Sequence, residues 1–151
     1  MKLWAELGVS VAAALGAATL AAPLASASVT ANPYTPAEAC ANDFGGSWSL
    51  ASDGHREVRY GTAKWGDVYL MYNSAHANCV ATIKSVDIGT KTYVDAGIKV
   101  QGGDWQDDDG QYAYYAAVKA SANNLCVQYD GFVGRGSNLA SGGRYTWGNC
   151  G

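Results

Sequence analysis

The densest run of metal-liganding side chains in this chain is Asp104-Trp105-Gln106-Asp107-Asp108-Asp109-Gly110. A calcium loop of the EF-hand kind needs oxygen ligands at alternate positions before its glycine and a glutamate further on. Counting back from Gly110 puts Trp105 at the first ligand position, and counting forward puts Ala116 where the glutamate should be. The pattern therefore predicts no metal. It predicts instead a hairpin connection, with Asp109-Gly110 at the tight turn between a strand ending at Gln101 and one starting at Gln111.

His55, Glu57 and Arg59 have the residue types a small ribonuclease uses as base, acid and phosphate clamp. Their spacing also makes them same-face neighbours along one strand, and charged residues on the wet side of an edge strand look alike. Ser49 or Ser52 with Asp53 and His55 would supply hydrolase side chains, but no G-x-S-x-G elbow surrounds either serine. Ten aspartates offer many carboxylate pairs and no context that selects one for glycoside hydrolysis. The net charge of −3 and the scattered lysines and arginines lack the basic stripe that phosphate neutralisation requires, so no nucleic-acid partner is expected. No catalytic residues, metal or cofactor are expected.

Aromatic composition points elsewhere. Five Trp and ten Tyr stand against two Phe. Tyr and Trp join an apolar face to a polar tip, which suits contact surfaces and stacking on sugar rings, though Tyr is also a favoured strand residue. Trp105, Tyr115 and Tyr93 form the candidate binding face, because all three fall at a turn or on the solvent side of a predicted strand.

These residues need a scaffold, and the cysteines and glycines describe it. Lys2 and the apolar run 7–22, followed by Ala25-Ser26-Ala27, predict a cleavable signal peptide over residues 1–27. Pro23 interrupts the run, so no membrane attachment is expected after cleavage. Removing the segment takes away Lys2 and Glu6 together and leaves the charge unchanged. Residues 28–36 predict an extended lead-in, and 37–151 a single domain.

Cys40, Cys79, Cys126 and Cys150 all lie downstream of the signal. An even number in an exported chain predicts two disulfides, and their wide spacing argues against zinc. Three pairings are possible and the sequence does not choose among them. Cys40–Cys79 with Cys126–Cys150 is the expectation, since it pins each end of the domain to the sheet at roughly 3 kcal/mol apiece.

Residues 38–42 predict a short helical turn around Cys40. Beyond it the pattern is strand and turn: 67–73, 79–87, 92–101, 111–121, 125–129 and 144–148. In 92–101, Val94, Ala96, Ile98 and Val100 alternate with Tyr93, Asp95, Lys99 and Gln101, the period of a half-buried strand. With 19 glycines to supply turns, the fold expected is an all-β antiparallel sandwich or barrel of six to eight strands.

Several motifs carry a family likeness. Asn32-Pro33-Tyr34-Thr35 before Cys40, Val68-Tyr69-Leu70-Met71-Tyr72-Asn73-Ser74 running to Asn78-Cys79-Val80, and Val100-Gln101-Gly102-Gly103 are three. Gly110-Gln111-Tyr112-Ala113-Tyr114-Tyr115-Ala116, Cys126-Val127 and Cys150-Gly151 complete them. Together they resemble the spore-associated protein A family of small secreted actinobacterial proteins. The chain departs from the family pattern between Cys40 and Val68 and between Gly131 and Trp147. The resemblance implies export and association with spores, mycelial surface or medium, and it implies no reaction. The expectation is therefore a secreted, non-catalytic protein at the spore or cell envelope, with a cell-wall or spore-surface polysaccharide as its partner. The alternatives are a small secreted hydrolase working through His55 and Glu57, and a protease-inhibitor-like module presenting 131–143 as an exposed loop.

Overall fold

The computed structural model describes residues 30–151; the predicted signal peptide lies outside them. One helix, α1 (Pro36–Phe44), precedes eight strands: β1 (Ser49–Tyr60), β2 (Ala63–Tyr72), β3 (Ala77–Lys84), β4 (Thr92–Val100), β5 (Trp105–Tyr112), β6 (Tyr115–Ser121), β7 (Val127–Arg135) and β8 (Asn138–Gly148). They form a single antiparallel sheet in the order β5-β4-β7-β8-β1-β2-β3-β6. The sheet curls into a barrel that is nearly closed. Its two end strands, β5 and β6, follow each other in sequence and meet at the seam. There the Asp108 carboxylate accepts from the Ala117 amide (3.0 Å) and from the Tyr112 hydroxyl (2.6 Å). A side chain thus bridges the seam where ladder bonds are missing.

The all-β expectation holds, with eight strands. Val94, Ala96, Ile98 and Val100 all point into the barrel, where they meet Val68 and Leu70 of β2, Val80 of β3 and Val127, Tyr129 and Val133 of β7. Gly131 lies where β7 crosses closest to this interior: a Cβ there would run into Thr82 and sit 2.9 Å from Val68.

Strand β3 is buried along its whole length because it is covered on both sides. Its outer side chains, with Met71 and Ala117, pack under α1 in a second apolar cluster. That helix starts in a capping box: Thr35 Oγ1 accepts from the Glu38 amide and Glu38 accepts from the Thr35 amide, with Pro36 in the first turn. The helix is longer than the turn expected at 38–42, and Thr-Pro-Ala-Glu is the signal that marks its start.

Both disulfides form as expected. Cys40–Cys79 ties α1 to β3, and Cys126–Cys150 ties the β6–β7 connection to the tail after β8. The lead-in is docked as well. Asn32 donates its side-chain amide to the carbonyls of Lys84 (3.0 Å) and Tyr114 (2.8 Å).

Three expectations are corrected. The aspartate run is not a turn: Asp107, Asp108 and Asp109 lie inside β5, and the chain reverses earlier, where Gly102 has a φ of 87°. Aspartate is a poor strand former, but positions 107 and 109 face solvent, where its side chain stays hydrated. Residues 131–143 are not a loop; they make the β7–β8 hairpin, turning at Gly136. Finally, β1 is not an edge strand, since it lies between β8 and β2.

Candidate functional site

The outward face of β5, β4, β7 and β8 is built in rows, because antiparallel register sets one residue from each strand beside the next. Lys99 pairs with Trp105 on one side and Gln128 on the other. In the next row Gly97 pairs with Asp107 and with Asp130, which itself pairs with Gly143. In the third, Asp95 pairs with Asp109 and Phe132. Glycine on both sides of Asp130 makes room for its side chain, which with Asp107 fills the space above Gly97.

The fit is tight. A Cβ at position 97 would collide with Asp130 Oδ1 and sit 2.7 Å from Asp107 Oδ1, so both carboxylates aim at the same point above the glycine. Asp95 and Asp130 are only 8% and 7% exposed. Among the described residues, Oδ1 of each has no hydrogen-bond partner. The Asp95 carboxylate has a long contact of 3.5 Å from the Tyr93 hydroxyl, and the Tyr145 hydroxyl lies near Asp130.

Burial dominates the electrostatics. It pushes the Asp95 carboxyl up to about 7, helped by the charges of Asp107, Asp130 and Asp109. It raises Asp130 to about 6 against the Tyr145 hydrogen bond, with Asp107 adding to the rise. Asp107 rises for the same two reasons, burial and then Asp109. Tyr145 is held up at about 12 by burial and by Asp130. Lys99 stands one row away and forms no ion pair with these carboxylates among the described residues. Nor does any group of three His, Cys, Asp or Glu side chains there converge closely enough to hold a metal ion.

Beside these carboxylates stands an aromatic pair. Trp105 packs edge-on against Tyr145 with ring centroids 6.1 Å apart. Tyr145 is 56% exposed. Trp105 and Tyr93 share the outward face, at opposite ends of the β4–β5 pair, and the acidic rows lie between them.

Tyr115 goes elsewhere. It starts β6, donates its hydroxyl to Asp43 (3.0 Å) and packs against Tyr34 (5.2 Å), which also meets Tyr114 (5.3 Å). Together with Phe44 and Asp108 these residues line a separate groove of about 520 Å³ beside α1. A further pocket, about 340 Å³, sits at one end of the barrel between Tyr72, His76, Asn78, Asn124 and Asn149. Four of its lining residues, His76, Asn124, Asn149 and Gly151, have positive φ.

His55, Glu57 and Arg59 are same-face neighbours, as their spacing implies. His55 Nε2 lies 2.7 Å from Asp67 and its ring stacks on Tyr69 at 4.7 Å. Arg59 is engaged by Glu57, and Lys64 by Asp67 at 2.8 Å.

Sequence patterning placed Asp95 on the solvent side but could not pair it with Asp130 or Tyr145. The alternating pattern of 92–101 was the one available signal. The sequence pattern ends a strand at Tyr129, offers 131–143 as a loop and starts the last strand only at Arg144.

Over 72 residues the chain is 43% identical to Spore-associated protein A of Streptomyces coelicolor (strain ATCC BAA-471 / A3(2) / M145). The match spans 46% of this chain and 46% of that protein, so it covers about half the length of the curated relative. Over that stretch the chain is spore-associated protein A-like. No family model matches it, and no solved structure does. Two disulfides suit an oxidising compartment or a cell surface. Among the described residues no helix is long and apolar enough to cross a membrane.

Proposed function

We propose that this is a secreted, non-catalytic protein of the spore or cell envelope, and that it binds polysaccharide on the outward face of β5, β4, β7 and β8. One observation carries the reading: the Trp105–Tyr145 pair stands beside the exposed carboxylates of Asp107 and Asp109 on the same outward face. Aromatic faces stack on sugar rings, and carboxylates accept hydrogen bonds from sugar hydroxyl or amino groups. The relative's spore association and the disulfide scaffold support the location. The face lies on paired strands rather than loops, which holds ligand contacts in fixed positions.

Sedimentation of the mature, disulfide-intact protein with insoluble peptidoglycan, chitin, chitosan, cellulose and purified spore coats tests this directly. Selective depletion by one polymer, weakened about tenfold in Trp105→Ala and in Tyr145→Ala, is expected; each lost aromatic contact of this kind is worth about 1–1.5 kcal/mol. Absence of depletion by all of them sinks the reading.

A further inference from the structure

We infer that the cavity at the barrel mouth beside the β2–β3 turn is a second binding site, and that it takes an N-acetylhexosamine unit. The site is separate from the outward face of β5, β4, β7 and β8 and does not depend on it.

The cavity has the place and size of a small-ligand site. Barrel mouths are favoured for such sites, and about 340 Å³ lies near the lower end of their volumes. That suits one sugar unit rather than a long chain. Both disulfides brace the walls: Cys79 follows Asn78 in β3, and the Cys126–Cys150 bond joins the neighbours of Leu125 and Asn149. His76, Asn124 and Asn149 hold left-handed backbone there, a conformation kept only where surrounding contacts fix it. The walls are therefore set before a ligand arrives.

The lining selects an uncharged ligand. No Asp, Glu, Lys or Arg side chain lines the cavity, so a charged group would lose water without gaining a partner. Ala51, Ala77 and Ala122 give it a buried apolar floor.

Two side-chain amides supply opposite hydrogen-bonding needs. The Asn73 oxygen accepts from the Ala75 and Ala77 amides (3.0 Å each), so its NH2 is the group left to donate. Asn78 is the reverse. Its NH2 donates to the Met71 carbonyl (3.1 Å), and among the described residues nothing donates to its oxygen. Asn78 is only 7% exposed, two residues before the interior Val80 and on the same side of β3. A buried acceptor of this kind is stabilised by a ligand N–H.

An acetamido group has one C=O, one N–H and a methyl, which match the Asn73 donor, the Asn78 acceptor and the alanine floor. A hydroxyl in its place lacks the methyl, and a free amine brings a charge. Tyr72 and Leu125, 49% and 45% exposed, line the opening with apolar surface on which a pyranose face can stack.

Amide NMR shifts of the mature, disulfide-intact protein test the site, with N-acetylglucosamine, methyl glucoside and glucosamine as probes. Shifts should concentrate at 72–78, 122–125 and 149–151. Affinity for N-acetylglucosamine should exceed that for the other two sugars about tenfold, and should fall about tenfold in Asn78→Ala and several-fold in Tyr72→Ala. Leu139→Ala removes an equally exposed apolar side chain from β8, outside the cavity lining, and should leave affinity unchanged. Chitotriose and the peptidoglycan disaccharide carry the same unit from two sources, and the tighter binder identifies the source.

Equal affinity for methyl glucoside overturns the acetamido group as the feature recognised. Shifts confined to the outward face of β4 and β5 overturn the location. Undiminished affinity in Tyr72→Ala, at an exposed position that folding does not need, overturns the site even if Asn78→Ala fails to fold. No shift with any of these sugars overturns the proposal, while polymer sedimentation through Trp105 is a separate result that it does not touch. Urea melts of each variant confirm that the altered proteins are folded.

Discussion

Asp107 and Asp130 belong to different strands, β5 and β7, yet both pair with Gly97 of the strand between them, and their carboxylates converge above it. Neighbouring like charges on an outward face raise the energy of the folded state.

Stability should fall as pH rises from about 5 to about 8. An unfolded aspartate ionises near pH 3.9, whereas folding raises Asp95 to about 7 and Asp130 to about 6. Between those values the folded state holds protons that the unfolded state has lost. The stabilisation is complete below the unfolded value and is lost as pH climbs through the folded one. Asp95→Asn should flatten this slope and gain about 1–2 kcal/mol at pH 8. Calorimetry at a series of pH values checks it, and a melting temperature that climbs from pH 5 to pH 8 would contradict it.

Gly97→Ala should destabilise the fold by about 1–3 kcal/mol, because its methyl group meets Asp130 Oδ1 at once. Combining it with Asp130→Ala should recover much of that loss. Urea denaturation of the two single variants and the double variant measures the coupling.

Lys84→Met should cost about 2–4 kcal/mol. The side chain is 1% exposed, and its ammonium donates to the carbonyls of Asp87 (3.1 Å), Thr90 (2.7 Å) and Tyr112 (3.2 Å). Burial lowers its pKa, yet these bonds hold the β3–β4 connection in place. Hydrogen exchange should show residues 85–91 losing protection before the barrel does.

Replacing Cys40 and Cys79 by alanine should cost about 3–4 kcal/mol. The change releases α1 from β3 and with it the Tyr115–Asp43 contact in the groove beside the helix. Binding through Trp105 should persist in the folded fraction, since α1 does not pack against β4 or β5 in its apolar cluster. Parallel denaturation and sedimentation measurements test both halves.

Much of the scaffold was legible in the residues. Val94, Ala96, Ile98 and Val100 announced a half-buried strand through their period of two, and β4 is that strand. The cysteines, one near each end of the domain and two within it, suggested the pairing that forms. The aspartates of β5 misled, because three aspartates before a glycine are turn-like locally. What overrides that preference is pairing along the whole of β4. The glycines of 131–143 misled in the same way, since they are there for close packing rather than for a loop: Gly131 abuts Val68 and Gly143 abuts Asp130.

Local chemistry therefore settled the strand-and-turn character of the chain, its cysteine staples and the amphipathic faces of its strands, because each depends on residues close together or on composition. The candidate site was decided only in three dimensions. Gly97 pairs with Asp107 through a local hairpin, but with Asp130 only because β7 inserts beside β4 in the closed order of the sheet. Tyr145 reaches Trp105 only because β8 follows β7 into that order. Register across strands distant in sequence is a property of the whole sheet. No run of residues encodes it locally, so the carboxylate cluster over Gly97 and its aromatic neighbours exist only in the folded barrel.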